Sequence, residues 1–483
     1  MRRSGQLILL VALVLAATPA TAQARHGLLT GFTDGEAFQT LSPDQTQVAF
    51  SHEVAAGGSV ARLIYSWRNV ERTRPPSAAA ATDPSWPGYD WTSVDRAVRE
   101  ASAAGLRVLL SWTAAPDWAE GRGRPARAAL GSWRPSATAY RRFARAAAVR
   151  YSGRYPDPLG GTLPRVRYWQ AWNEPNLVDY LTPQWRRRGR RFTAVSPVLY
   201  RRLLNAFYRG VKSVHRSNFV VSAGLSPFGF PTGRSRMRPA LFTRELLCVR
   251  GRRHPRPFRC SSSPVYFDAL AHHPYSNGGP RRRAINVDDV VIPDLRKLTR
   301  PLRAAIRAGK ARPRRRKPVW VTEISWDTRP PDPDGVPIAR QARYLEGALY
   351  ILWRQGVTVV NWFLIRDQSA EAGYSNTLQS GIYFRGATVG ADQPKAAPFT
   401  AFRFPFTAYI RRGRAQLWGL APRPGRVSIE IRRRGRWRRL VSLRARRDRL
   451  FFRSRRIRRG SVLRARQGTS TSLDWRVAQK AAP

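Results

Sequence analysis

The sequence predicts an α/β chain, a (β/α)8 TIM barrel followed by a small C-terminal antiparallel β-sandwich. Three observations predict it. From about Leu28 to Phe406, short apolar segments rich in β-branched and aromatic residues alternate with longer amphipathic stretches, as expected of repeated β/α units around a parallel sheet. Eight such apolar segments can be counted, the number that closes a barrel. Beyond about Tyr409 the helical period disappears and short alternating runs take its place, which reads as antiparallel strands. A doubly wound open sheet alternates in the same way, but no G-x-G-x-x-G loop follows the first apolar segment.

In chain order the expected barrel strands are Leu28 to Phe32, Ala61 to Trp67, Arg107 to Trp112, Val166 to Trp172, Phe219 to Ala223, Tyr266 to Ala271, Pro318 to Glu323 and Thr358 to Phe363. Helical periods lie between them over Trp91 to Ala104, Ala137 to Tyr151, Pro197 to His215, Pro293 to Ala308 and Ile338 to Gln355. Most begin with Ser, Asp or Pro at or just before the first position, the residues that start helices. After Tyr409 the strand runs are Ala415 to Leu420, Val427 to Ile431, Trp437 to Ala445, Leu450 to Phe452, Ser461 to Arg466 and Leu473 to Val477. The division expected is residues 1–24 as a signal peptide, 25–408 as the barrel and 409–483 as an Arg-rich sandwich.

The signal peptide rests on Arg2 and Arg3, an apolar run from Leu7 to Ala17, and Ala22-Gln23-Ala24 as cleavage site, with Ala20-Thr21-Ala22 as the alternative. That run has 11 residues, short of the roughly 20 that span a bilayer, so no membrane span is expected. Secretion follows, to the extracellular space or the cell wall. Over 483 residues, 42% hydrophobic and 11% aromatic content excludes a disordered chain.

The charge is +56, and only six of the 86 basic residues are Lys. After Tyr409 alone there are 24 basic residues against three acids. Such a field attracts polyanions, whereas the Arg skew equally fits a GC-rich coding bias. Runs such as Arg186 to Arg191, Arg281 to Arg283 and Arg312 to Lys317 read as solvated charge or as anion-binding surface. No nucleic-acid module is recognisable, so no specific nucleic-acid partner is expected. Cys248 and Cys260, twelve apart in an exported chain, are expected to form a disulfide. No CxxC or HExxH occurs, so neither a metal nor another cofactor is expected. Adjacent His272 and His273 do not easily face one ion, and Asp332 and Asp334 sit in a Pro/Gly turn.

Function in a barrel gathers at the C-terminal strand ends. The fourth strand ends in Asn173-Glu174-Pro175-Asn176 and the seventh in Glu323. Two carboxyl groups on nearly opposite strands suit the cleavage of a glycosidic bond, which needs one protonated and one ionised acid. Arg62 on the second strand is expected to favour the charge of Glu323, and the Trp169, Trp172 and Pro175 surroundings a proton on Glu174. For a retaining mechanism the two carboxyls should stand about 5–5.5 Å apart.

The segments Tyr168-Trp-Gln-Ala-Trp-Asn-Glu-Pro-Asn176 and Val319-Trp-Val-Thr-Glu-Ile-Ser-Trp326 resemble the acid/base and nucleophile motifs of the clan A glycoside hydrolases, in particular families 39 and 5. Tyr89-Asp90-Trp91, Gly105 to Leu110, His273-Pro274-Tyr275 and Asn361-Trp362-Phe363 extend the resemblance over most of residues 28–406. It implies a secreted retaining β-glycosidase acting on a β-linked polysaccharide or oligosaccharide, anionic if the charge is functional. By resemblance Glu174 is the acid/base, Glu323 the nucleophile, and Asn173 a ligand of the sugar 2-hydroxyl. Tyr275 or His273 lines the site, Trp362 forms its hydrophobic floor, and Arg62 orients Glu323. The sequence departs from the pattern on the third strand, where Ser111-Trp112 stands in place of a His; Trp112 is the substrate contact expected on that side. Trp67, Trp118 and Trp326 read as sugar-stacking or packing residues. A barrel that binds glycans or polyanions at the cell envelope without cutting them is the alternative function.

Overall fold

The computed structural model describes residues 26–478 apart from 231, 234 and 262; the signal peptide expected over residues 1–24 lies outside them. Eight parallel strands form one sheet: β1 (Leu29–Thr33), β2 (Val60–Ser66), β3 (Arg107–Thr113), β4 (Tyr168–Ala171), β5 (Phe219–Ser222), β6 (Leu270–His272), β7 (Val319–Val321) and β8 (Val357–Trp362). Strand β8 returns to β1. Between β5 and β6 the ring closes through a parallel bridge from Val221 to Ala269, with Ser222 N–H donating to Ala269 O at 3.0 Å. The barrel is therefore closed. The segment expected as one strand from Tyr266 to Ala271 is split. Val265–Tyr266 pairs outside the barrel with Ala311–Arg312, and the Asp268 carboxylate between the two halves accepts the Val220 N–H at 3.0 Å.

Successive strands are followed by α1 (Pro43–Ala55), α2 (Thr92–Ala103), α3 (Ala137–Arg150), α4 (Ser196–Val214), α5 (Pro239–Leu246), α6 (Arg296–Arg307), α7 (Ile338–Arg354) and α8 (Ala396–Arg403). Helical spacing decides which faces turn inward. In α4 the buried set includes Tyr200, Leu203, Leu204, Phe207 and Val211. In α6 it includes Leu298, Pro301, Leu302 and Ala305, which leaves Arg296, Arg300, Arg303 and Arg307 exposed. Among the described residues no helix is long and apolar enough to cross a membrane.

Inside the barrel, alternate residues of each strand point to the axis. The lower layer is apolar, with Val60, Leu109, Val359 and Trp320, the last stacked on Phe219 at 5.5 Å. Two residues further along three of these strands come Arg62, Asn361 and Thr322, and Gln170 on β4 joins them; all four are buried. The barrel is thus plugged below and polar above, at the end where the strands terminate.

Beyond the barrel lie two antiparallel sheets. Strands β9 (Phe406–Arg411), β10 (Arg414–Leu420), β11 (Gly425–Arg433), β12 (Arg436–Ala445), β13 (Leu450–Arg455) and β14 (Val462–Gln467) divide into β9-β10-β13 and β12-β11-β14, the second extended by two short strands. The hairpins β9–β10 and β11–β12 turn on Arg412-Gly413 and Arg434-Gly435, all four residues at positive φ, as two-residue turns of this hand require. Along β11, Val427, Ile429 and Ile431 are buried while Arg426 and Arg432 are exposed.

The sheets sit on α7. Tyr350 meets Tyr409 with ring centroids 5.0 Å apart, and Trp353 meets Trp418 at 5.9 Å and Phe452 at 5.6 Å. Glu346, fully covered at this seam, accepts the Phe406 N–H at 3.3 Å and an Arg343 guanidinium bond at 3.0 Å. Cys248 and Cys260 are disulfide-bonded, with their Cα atoms 5.4 Å apart, around a small hairpin of Val249–Arg250 and Arg256–Pro257.

Candidate active site

The turn after β4 holds the first carboxylate in strained backbone. Trp172 and Glu174 have φ of 74° and 35°, a conformation that costs non-glycine residues about 1–3 kcal/mol each. The surroundings hold it there. Glu174 N–H donates to Gly224 O at 3.0 Å, and the Asn176 amide donates to Ser226 O at 3.1 Å and Met237 O at 3.0 Å. Asn176 is thus a structural staple between the β4 and β5 loops. Gly224 also gives His273 room, because a Cβ there would stand 1.9 Å from His273 Nε2.

Arg62 organises the floor of the site. It is wholly buried and spends its donors on four partners: Nε on Gln170 Oε1 at 2.6 Å, Nη1 on Glu323 Oε1 at 2.6 Å and on Thr322 O at 3.3 Å, and Nη2 on Asn173 Oδ1 at 2.9 Å. Tyr275 donates its hydroxyl to the other Glu323 oxygen at 3.0 Å. Burial alone would push the Glu323 carboxyl up. The charges of His273 and Arg62 and the hydrogen bonds from Arg62 and Tyr275 outweigh it and hold the carboxyl below its ordinary range.

His273 stands between the two acids. Its Nδ1 lies 2.9 Å from Glu174 Oε1 and 3.5 Å from Glu323 Oε2, and its Nε2 lies 2.9 Å from Thr322 Oγ1. Thr322 Oγ1 accepts from Gln170 Nε2 at 3.3 Å, which directs its own hydrogen to His273 Nε2. In the neutral ring the proton then sits on Nδ1, facing the carboxylates. One ligand atom each from Glu174, His273 and Glu323 fall within 4.8 Å of one another. These are the residues that could take a metal ion, but the Arg62 guanidinium already supplies positive charge to Glu323. His272 turns the other way: its Nε2–H goes to Val290 O at 2.8 Å, and burial lowers its imidazole to about 3.

The structure gathers Arg62, Asn173, Glu174, His273, Tyr275 and Glu323 into one cluster. The Trp169 and Trp172 indoles donate to Val166 O and Tyr180 O, and the polar partner of Glu174 is His273. Trp112 is corrected from substrate contact to core: it is 0% exposed and packed edge-on to Phe143 at 4.8 Å. Trp67 is core as well, against Tyr140 and Phe143. Trp362 is covered, with its N–H on Ser380 O at 2.8 Å and Trp326 at 6.0 Å. Asp332 closes its turn by accepting Asp334 N–H at 2.9 Å.

Three site residues escaped the sequence reading. Gln170 and Thr322 lie inside the motif segments, as polar residues in otherwise apolar strands, and that was their signal. Tyr180 had none. It stands beside Asn173, and burial together with the charges of Glu174 and Glu323 pushes its hydroxyl up to about 12.

Fold and cluster together define a class by architecture: a closed (β/α)8 barrel with two acids at the ends of its fourth and seventh strands. The fold is similar to that of a family 39 glycoside hydrolase from the gut symbiont Bacteroides cellulosilyticus WH2, at a TM-score of 0.52 and 16% identity, covering 89% of this chain and 81% of that one. A monomeric β-xylosidase from Caulobacter crescentus CB15 matches at 0.49 and 15% identity over 84% and 83% of the two chains. A GH5_18 protein from Bifidobacterium longum subsp. infantis matches at 0.48 and 12% identity over 77% of each. No protein-family model and no curated protein matches the sequence.

Proposed function

We propose that the protein is a secreted retaining β-glycosidase that hydrolyses O-glycosidic bonds of a β-linked polysaccharide or oligosaccharide. The observation that carries the reading is the pairing of Glu174 and Glu323, with carboxylate oxygens within 4.8 Å of each other, close to the spacing at which one acid attacks the anomeric carbon directly. The likeness of the barrel to a family 39 glycoside hydrolase supports it.

In the first step Glu323, kept ionised by Arg62 and Tyr275, forms a bond to the anomeric carbon. The bond to the leaving oxygen breaks, and Glu174 gives that oxygen its proton. In the second step Glu174 takes a proton from water, the water oxygen bonds to the anomeric carbon, and Glu323 leaves. His273 donates its Nδ1 proton toward whichever carboxylate carries charge. Arg62 occupies Asn173 Oδ1, which leaves the Asn173 NH2 to donate to the sugar 2-hydroxyl. Trp362 backs the sugar subsite through Trp326. We take residues 25–408 as the catalytic barrel and the two C-terminal sheets, whose first strand β9 already begins at Phe406, as a β-sandwich that supports it.

The experiment is reducing-sugar release by residues 25–483 over a panel of neutral and acidic β-linked glycans, beside Glu323→Gln. Release that disappears in the variant supports the reading. Release unchanged by Glu323→Gln, or none from any glycan while the panel is bound, overturns it in favour of a barrel that binds without cutting.

A further inference from the structure

We infer that an arginine-lined groove on the outer α6–α7 face of the barrel binds an acidic glycan chain. A cavity of about 740 Å³ lies between helices α6 and α7 and strand β9, bordered by Arg281, Arg283, Arg296, Arg303, Arg354 and Arg411. A second, of about 400 Å³, continues along α6 and adds Arg307, Arg316 and Lys317. The two share Thr299, Arg303 and Gln355 as lining, so they are parts of one elongated depression. Each is within the size range of ligand sites, about 300–1,000 Å³.

Like charges converge there with a single compensating pair among the lining arginines named. Arg283 pairs with Asp294 at 2.9 Å. Among the described residues, Arg281, Arg296, Arg303, Arg354 and Arg411 have no carboxylate within ion-pair reach. Partial burial, with the repulsion of Arg296, Arg300, Arg307 and Arg316, lowers the Arg303 guanidinium. An anion with several charges relieves this repulsion, and planar guanidinium groups take carboxylates and sulfates through paired hydrogen bonds.

The floor identifies the kind of chain. Ile351 and Ile410 in the first cavity and Ile306 in the second are partly exposed apolar lining, whereas Tyr350 and Tyr409 border the first but are buried at the seam. Charged walls over aliphatic ground suit sugar rings, whose C–H faces are apolar and whose acidic substituents project sideways. A single nucleic-acid strand would call for a row of stacking rings, which this floor does not offer. One end of the groove is tied to the proposed site of cleavage through the chain, while the other lies beside Lys317, Val319 and Gly356, where β7 and β8 begin. Arg281 follows Tyr275 by six residues, at most about 22 Å along the chain, and Gly278 between them accepts the Trp326 indole N–H at 2.9 Å. The choice of a glycan rests on the glycosidase reading; the anion site itself does not.

Binding is measured calorimetrically on the Glu323→Gln chain, where nothing is turned over. The probes are a hexamer of β-1,4-linked mannuronate, the neutral manno-hexaose and a single-stranded DNA hexamer. The uronate should bind at least about tenfold more tightly than the other two. Arg281→Ala/Arg296→Ala/Arg354→Ala should raise its Kd by about tenfold or more, with Tm unchanged. Arg186→Ala/Arg187→Ala/Arg188→Ala, which removes the same charge from the exposed hairpin Trp185–Arg188, should raise Kd less than about twofold. Equal losses in both triples reduce the effect to diffuse charge and overturn the site. DNA binding as tight as the uronate, or no uronate binding, overturns it as well. Neutral glycans still hydrolysed by the wild-type chain in either case would leave the glycosidase reading standing without the groove.

Discussion

Arg62 Nη1 lies 2.6 Å from Glu323 Oε1, in a part of the barrel interior where the arginine side chain has no contact with solvent. The pair joins the interior of β2 to the end of β7 across the barrel. Its removal is informative because burial alone acts on Glu323 in the opposite direction. In Arg62→Met we expect kcat/KM to fall at least about 100-fold and its acidic limb to move to higher pH, since Glu323 is protonated more readily. The wild-type carboxyl is held low, so it stabilises the fold above the ordinary carboxylate range, and this is lost as pH falls through its lowered value. The variant leaves a buried acid without its guanidinium partner, at a cost of about 3–5 kcal/mol near neutrality. Urea unfolding at pH 5 and pH 7 together with the pH profile checks both effects.

Gly224→Ala tests the placement of His273. A methyl at this point would meet the imidazole 1.9 Å from its Cβ, so the ring must move. Displacement by about 1 Å is expected to lower kcat about 100-fold with circular dichroism unchanged. Retention of full activity would mean that His273 is not needed between the two acids.

Glu346 gives the seam a pH dependence. Burial pushes its carboxyl up to about 8 against the pull of Arg343. The folded chain therefore holds this proton more tightly than the unfolded chain, and stability falls as pH rises from the ordinary carboxyl range through about 8. Glu346→Gln carries no charge to bury. Its Tm should match wild type near pH 5 and exceed it at pH 9, where its stability to urea should be higher by up to about 5 kcal/mol. A Tm difference independent of pH would contradict the assignment.

The Cys248–Cys260 bridge spans a separation of 12 residues, for which loop-closure entropy gives about 3 kcal/mol. Cys248→Ala/Cys260→Ala should lower stability to urea by about that much and leave kcat of the folded protein unchanged. Loss of kcat would tie the loop to the site.

The barrel was legible because its strands are buried on both faces and so appear as unbroken apolar runs between amphipathic ones. The helices α5 and α8 span only eight residues each, too short for a period to stand out. Register explains the site. Glu174 and Glu323 follow strand ends, and Arg62 lies on the inward face of β2, so position in sequence fixes position in space. The contact of His273 with both acids depends on how β6 is staggered against β7, and no local pattern encodes that. Trp112 was misread because an aromatic residue at a strand end has the same sequence signature whether it faces the axis or the helices. Its neighbour Ser111 is buried with its hydroxyl unpartnered, and the alternation of the strand turns Trp112 the other way, against Phe143.

The aromatic seam between α7 and the C-terminal sheets bears on how this architecture can be inherited. Tyr350 and Trp353 belong to the ring of helices every such barrel needs, yet here their outward faces are roofed by Tyr409, Trp418 and Phe452. An ancestor without the appendage would have needed a different, polar surface on this helix. Barrel and appendage must therefore have changed in step, and grafting either onto a foreign partner would transfer half of a joint.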